Sequence, residues 1–193
     1  MKNEEVQQFL DRGPRYLPNI SIDCVIFGFH EQQLKVLLLE FQNTNLVALP
    51  GGFVYKEEST DEAAHRILRE RTGLNAIYLQ QFHTFGRPDR GNWEVHKDTI
   101  AMHGIELQAD HWLLQRFVSI GYYALVDFSK VIPTPDVFSD VCTWYELHEI
   151  PDLILDHNRI IADALATLRL MLDHTLVGFN LLPEYFTMNE LQS

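Results

Sequence analysis

The chain has 193 residues, of which 46% are hydrophobic and 22% charged, enough for one compact domain with a real core. Fifteen Lys and Arg stand against 27 Asp and Glu, a net charge of −12, so this polypeptide should be repelled by nucleic-acid phosphates and by anionic membranes. Cys24 and Cys142 lie in apolar stretches (IDCVIF and DVCTWY), which reads as buried thiols in a reducing compartment, not a disulfide framework or metal site. The acidic start MKNEEVQQFLDRG has no apolar leader core, and no run approaches the roughly 18–20 apolar residues of a membrane span, so the expected location is the cytoplasm.

In chain order, residues 20–29 (ISIDCVIFGF) and 34–41 (LKVLLLEF) are β-branched apolar runs separated by HEQQ, which predicts a strand pair. Residues 46–55 continue as an extended segment broken by a loop at Pro50-Gly51-Gly52, where backbone passes close to something. A helix is predicted at 60–72: Ser59 and Glu62 form a capping box, Asp61 and Glu62 suit the first turn, and Gly73 ends it. Further strands are expected in 74–85 and 116–128, with 88–115 a polar loop insertion carrying one helical turn. TWYELHEIP (143–151) reads as a last strand and turn. Asp156 then caps a helix at about 157–174, with Ile160, Ile161, Ala164, Leu168 and Leu172 on one stripe that packs on the sheet or on a partner. This order of elements points to an α+β fold, a mixed sheet sandwiched between helices. At the end, Thr187 and Glu190 make a second capping box, with Met188 and Leu191 opening a helix that the chain leaves within two turns. The expectation is a linker and the first turn of a further domain.

Residues 51–74, GGFVYKEESTDEAAHRILRERTGL, combine a Gly-rich approach with a capped helix. Aligned on Gly52, Glu58, Arg66, Leu68, Glu70, Gly73 and Leu74, the stretch resembles the Nudix box GX5EX7REUXEEXGU. The resemblance implies a Nudix fold over about residues 18–175, in which box carboxylates hold Mg²⁺ against a diphosphate that water then cleaves. Positions i, i+3 and i+4 share a helix face, so three Glu there would converge on a hard cation. In this chain those slots are Ile67, Glu70 and Arg71. An apolar side chain offers no ligand and a guanidinium repels a cation, so the expectation is a scaffold kept by Gly52, Glu58, Arg66 and Gly73, with hydrolysis, catalytic residues and metal lost.

The run WYELHEIPDLILDHNRIIADALATLR (144–169), followed by NLLPEYFTMNELQ, is similar to the Nudix-related transcriptional regulators. That resemblance implies a degenerate Nudix domain over 18–178 that senses a metabolite, an N-terminal segment 1–17, and residues 179–193 as linker and first turn of a winged-helix domain. DNA would be bound through that missing domain, by a homodimer. It further implies a pocket between sheet and box helix, with Glu70, Arg71, Arg87, Arg90 and Tyr122 or Tyr123 as ligand-binding candidates; strand alternation allows one of the two tyrosines to face it. Each Arg is equally readable as a surface ion pair, and each Tyr as core. The implied effector is ADP-ribose-like or a pentose sugar, and an uncharged sugar fits more easily where the Mg²⁺ cage is absent. The alternatives are an active Nudix hydrolase of a nucleoside-diphosphate derivative, using Glu70 and Mg²⁺, and a protein-interaction module with the 157–174 helix as its seam.

Other residues read as structure. His96, His103 and His111 fit no zinc spacing, His157 is a helix-start residue, and Trp93, Trp112 and Trp144 pack by default although they could stack on a sugar.

Overall fold

A computed structural model describes residues 2–30, 32–41, 43–75, 77–90 and 94–172. The expected second capping box at Thr187 and Glu190, and the linker before it, lie outside these residues. Among the described residues seven strands form one mixed sheet: β1 (Tyr16–His30), β2 (Gln33–Phe41), β3 (Val47–Ala48), β4 (Gly51–Tyr55), β5 (Leu79–Phe85), β6 (Val118–Val126) and β7 (Ser139–Glu146). The spine runs β3-β2-β1-β6-β5, with β4 paired to β1 and β7 to β2. β1 pairs in parallel with β6 from Ile20–Val118 to Gly28–Val126, and antiparallel with β2 and β4 at its two ends. Its central residues are therefore buried on both faces, which explains the near-continuous apolar run from Cys24 to Phe27.

Four α-helices complete the fold among the described residues: α1 (Lys2–Leu10), α2 (Thr60–Thr72), α3 (Glu94–Ala101) and α4 (His157–Leu172). Alternation along the strands sends Cys24, Ile26, Leu37 and Tyr122 toward α2, and Val25, Phe27, Leu38 and Tyr123 toward α4. The α4 stripe, Ile160, Ile161, Ala164 and Leu168, packs on this chain's own sheet. The sandwich expected from the order of elements is the one observed.

Three local expectations change. Gly51 and Gly52 are not in a loop but open β4, in register with Asp23 and Ile22; the chain breaks at Leu49-Pro50, where the Pro50 carbonyl accepts from Cys24 N at 2.8 Å. The last strand starts earlier and stops sooner than predicted, at Ser139 and Glu146, because its register is set by pairing with β2. The insertion holds a two-turn helix, α3, and a 3-10 turn at Trp112–Leu114, not a loop with one turn. These join α1 in a separate small core of Val6, Leu10, Ile100, Leu107 and Leu113.

Candidate functional site

The box helix is fixed at both ends by its own sequence. Ser59 Oγ accepts from Glu62 N, and the Glu62 carboxylate accepts from Ser59 N at 2.7 Å. Gly73 adopts φ 73° and donates to the Arg69 carbonyl. Between them, Arg66 reaches back to the β4–α2 loop, where its Nε and Nη2 donate to the Glu58 carboxylate at 3.1 and 2.6 Å and Nη2 also donates to the Phe53 carbonyl. Burial pushes the Glu58 carboxyl up, but the Arg66 guanidinium and the Tyr55 N–H more than offset this and hold it below its ordinary value. The scaffold set Gly52, Glu58, Arg66 and Gly73 is thus assembled by local chemistry.

The metal-binding face is different. Ile67 is 1% exposed, and its Cδ1 would lie 3.1 Å from a Cβ placed on Gly52, so this slot is packed into the core beneath the sheet. Glu70 is 44% exposed and lies between two guanidinium groups, 3.6 Å from Arg66 Nη1 and 3.4 Å from Arg71 Nη2. Arg71 donates from Nη1 to the Thr134 carbonyl, while its buried Nε has no hydrogen-bond partner among the described residues. Among those residues, no group of three or more His, Cys, Asp or Glu is placed to hold a metal ion. The lone carboxylate of the face is already neutralised from both sides.

Beside α2 lies a cavity of about 420 Å³. Arg66, Ile67, Glu70 and Arg71 form one wall and Gly51 and Gly52 adjoin it. Asp23 and His157 lie on another part of the lining, and Phe9 and Arg12 reach it from α1 and the turn that follows. Of the residues expected to meet a ligand, Glu70 and Arg71 are brought together here; Arg87, Arg90 and Tyr122 are not part of the lining. Arg87 is exposed and paired with Asp89 at 2.7 Å. Arg90 is 3% exposed and grips Asp156 at 2.8 Å and Asp23 at 3.3 Å, so it serves as a buried counter-ion. Tyr122 donates to Asp61 at 2.5 Å at the start of α2; burial, then this carboxylate, push its phenol up to about 12. Tyr123 faces α4 instead, as strand alternation requires.

Sequence reasoning missed Asp23 and took Asp156 for a helix cap. The Asp156 carboxylate belongs to Arg90, and its carbonyl closes the first turn of α4 with Ile160 N. Asp23 accepts on Oδ2 from Ser119 Oγ at 2.5 Å and from Arg90. Its signal was present: a lone acid inside a buried apolar strand requires a partner. His157 does begin α4, and its Nδ1 accepts from Leu49 N at 3.0 Å. Trp112 packs against Phe53 and Trp144 against Phe128; Trp93 and the His96 side chain lie outside the described residues. Among the described residues no helix is long and apolar enough to cross a membrane.

Comparison with known proteins agrees with this geometry. The NUDIX domain family model matches residues 17–167. The chain is 29% identical over 185 residues to the ADPR responsive transcriptional repressor NtrR of Acinetobacter baylyi, covering 91% of this chain and 64% of that protein. A crystal structure of Shewanella oneidensis NrtR complexed with a 27mer DNA is 31% identical with a TM-score of 0.64, covering 90% of this chain and 72% of that one. The NUDIX domain of the same NrtR complexed with ADP ribose is 27% identical with a TM-score of 0.58, covering 79% of this chain and 89% of that one. The chain spans less than two thirds of the length of that curated repressor, and its match to the family model over most of its residues shows that it belongs to the Nudix family.

Proposed function

We propose that this chain is the metabolite-sensing part of a transcriptional regulator, that the cavity beside α2 takes an ADP-ribose-like effector, and that hydrolysis has been lost. One observation carries the reading: the box wall of the cavity presents Arg66 and Arg71 around a single Glu70, where a hydrolase needs converging carboxylates. A guanidinium at position 71 supplies the positive charge that a metal would otherwise bring. It can pair directly with a diphosphate, but it does not acidify a bound water as a metal ion does. Arg71 lines the cavity, with Nη1 on the Thr134 carbonyl and Nη2 beside Glu70, so its charge is held at that wall. On this basis the diphosphate no longer depends on Mg²⁺, and the similarity to an ADPR responsive repressor and to an ADP ribose complex favours ADP-ribose over a free pentose. DNA binding, supported by the NrtR–DNA complex, belongs to the same proposal, and so does a homodimer. Neither Mg²⁺ nor another cofactor is needed for binding in this account.

Calorimetric titration of the chain with ADP-ribose, ribose 5-phosphate, arabinose and xylose, with and without Mg²⁺, tests it. The expected result is saturable, Mg²⁺-independent binding of ADP-ribose that weakens about tenfold or more in Arg71→Ala. Binding of the pentoses alone, or binding that requires Mg²⁺, would refute it.

A further inference from the structure

The cavity has a second polar feature, set by side chains that the Nudix box does not include. Asp23 on β1 and His157 at the start of α4 both line it, and both are largely buried, at 7% and 4% exposure. The histidine's tautomer is dictated by its neighbours: Nδ1 accepts from the Leu49 amide, so the proton of the neutral ring sits on Nε2. Burial pushes the ring below its ordinary value, which keeps it neutral. Nε2 points toward Asp23 Oδ1 across 3.6 Å, too far for a good hydrogen bond. The side-chain hydrogen bonds described for Asp23 fall on Oδ2, from Ser119 and Arg90, which fix the carboxylate plane and leave Oδ1 facing the imidazole. Gly51, which also lines the cavity, comes so near that a Cβ on it would stand 3.0 Å from the same Oδ1. A donor and an acceptor are thus held side by side at a cavity wall, rigid and slightly too far apart to satisfy each other.

We propose that Asp23 Oδ1 and His157 Nε2 form a hydroxyl-reading subsite, in which one sugar hydroxyl of the effector donates to the carboxylate and accepts from the imidazole N–H. A hydroxyl is the group that suits this pair, because it donates and accepts from one oxygen atom. An anion would meet the Asp23 charge, and an ammonium would meet the Nε2–H. The subsite rests on the effector reading given above and adds which part of the ligand is recognised and by which atoms. It also places the sugar against the first residue of α4, whose neighbour Asp156 is tied through Arg90 to the same Asp23.

The test compares ADP-ribose with its singly deoxygenated forms lacking the 2′-, 3′-, 2″- or 3″-hydroxyl, by calorimetry on the wild-type chain. Loss of the recognised hydroxyl strands a buried donor and acceptor, so at least one form should bind about tenfold or more weakly. In His157→Asn the amide oxygen can still accept from Leu49 N while the Nε2–H is gone. This variant should bind ADP-ribose more weakly and discriminate less between ADP-ribose and that same deoxy form, since only the Asp23 half of the pair remains. A readout on the wild-type chain covers the case in which the variant fails to fold: the His157 Nε2–H resonance should shift with ADP-ribose and not with the discriminated form. If every deoxy form binds as tightly as ADP-ribose, if His157→Asn keeps the full wild-type discrimination, or if the resonance is indifferent, the subsite is wrong and the effector reading stands. If ADP-ribose does not bind at all, both are wrong.

Discussion

The Glu58–Arg66 pair holds the Gly-rich approach against the box helix, and its removal offers a sharp perturbation. Glu58→Gln keeps the acceptor for Tyr55 N but deletes the charge facing a guanidinium at 2.6 Å. The two side chains are 16% and 20% exposed, between the surface pairs worth about 0–1 kcal/mol and the fully buried ones whose breakage costs about 3–5 kcal/mol. A loss of about 2 kcal/mol at pH 7 follows, a fall in Tm of about 4–8 °C for a chain of this size. The sign of the pH dependence is fixed by the direction of the shift. Glu58 is held below its ordinary carboxylate value in the folded chain, so its contribution is complete above the unfolded value and disappears as pH falls through the folded one. Urea unfolding of wild type and variant should therefore show a gap that is constant near neutrality and narrows as pH falls below about 4.3, the unfolded carboxylate value. A gap under about 0.5 kcal/mol at pH 7, or one that survives unchanged at pH 3, would refute the assignment of this pair as the clamp of the box.

Ile67→Ala should lose about 2–4 kcal/mol in denaturant melts, since the side chain is 1% exposed and fills the space against Gly52; a loss typical of a surface site would show that the slot is not core. Gly73→Ala should lose about 1 kcal/mol through backbone strain alone, because its φ is 73° and an added Cβ meets no atom within 4 Å. Burial pushes the Cys24 thiol far up and the Cys142 thiol up to about 11, so a disulfide-exchange reagent at pH 8 should label the native chain slowly and both thiols at once in urea.

The legible parts of this molecule are those whose physics is local. The limits of α2 were readable because Ser59, Glu62 and Gly73 act within a few residues of the ends they fix, and the strands of the core because Cys24–Phe27 in β1 and Tyr122–Val126 in β6 are near-continuous apolar runs. Glu58 with Arg66 was readable from the spacing of the box. The small core of α1 and α3 was not: Val6 and Leu10 meet Ile100 and Leu113 across about ninety residues, and neither helix is apolar enough to announce itself. Arg90 illustrates the same limit at the site. From sequence it is a loop cation suited to an anion, whereas in the fold it neutralises Asp23 and Asp156, which no local pattern links to it. Asp23 and His157 reach the cavity for a related reason, since β1 and the start of α4 converge only in three dimensions.

Binding without cleavage is best tested by phosphorus NMR of ADP-ribose held with the chain and excess Mg²⁺, alongside a thermal melt of the same sample. The paired diphosphate resonances should persist for hours while the melting temperature rises. Phosphomonoester signals from AMP and ribose 5-phosphate, appearing at a rate that depends on Mg²⁺ and falls away in Glu70→Gln, would contradict it.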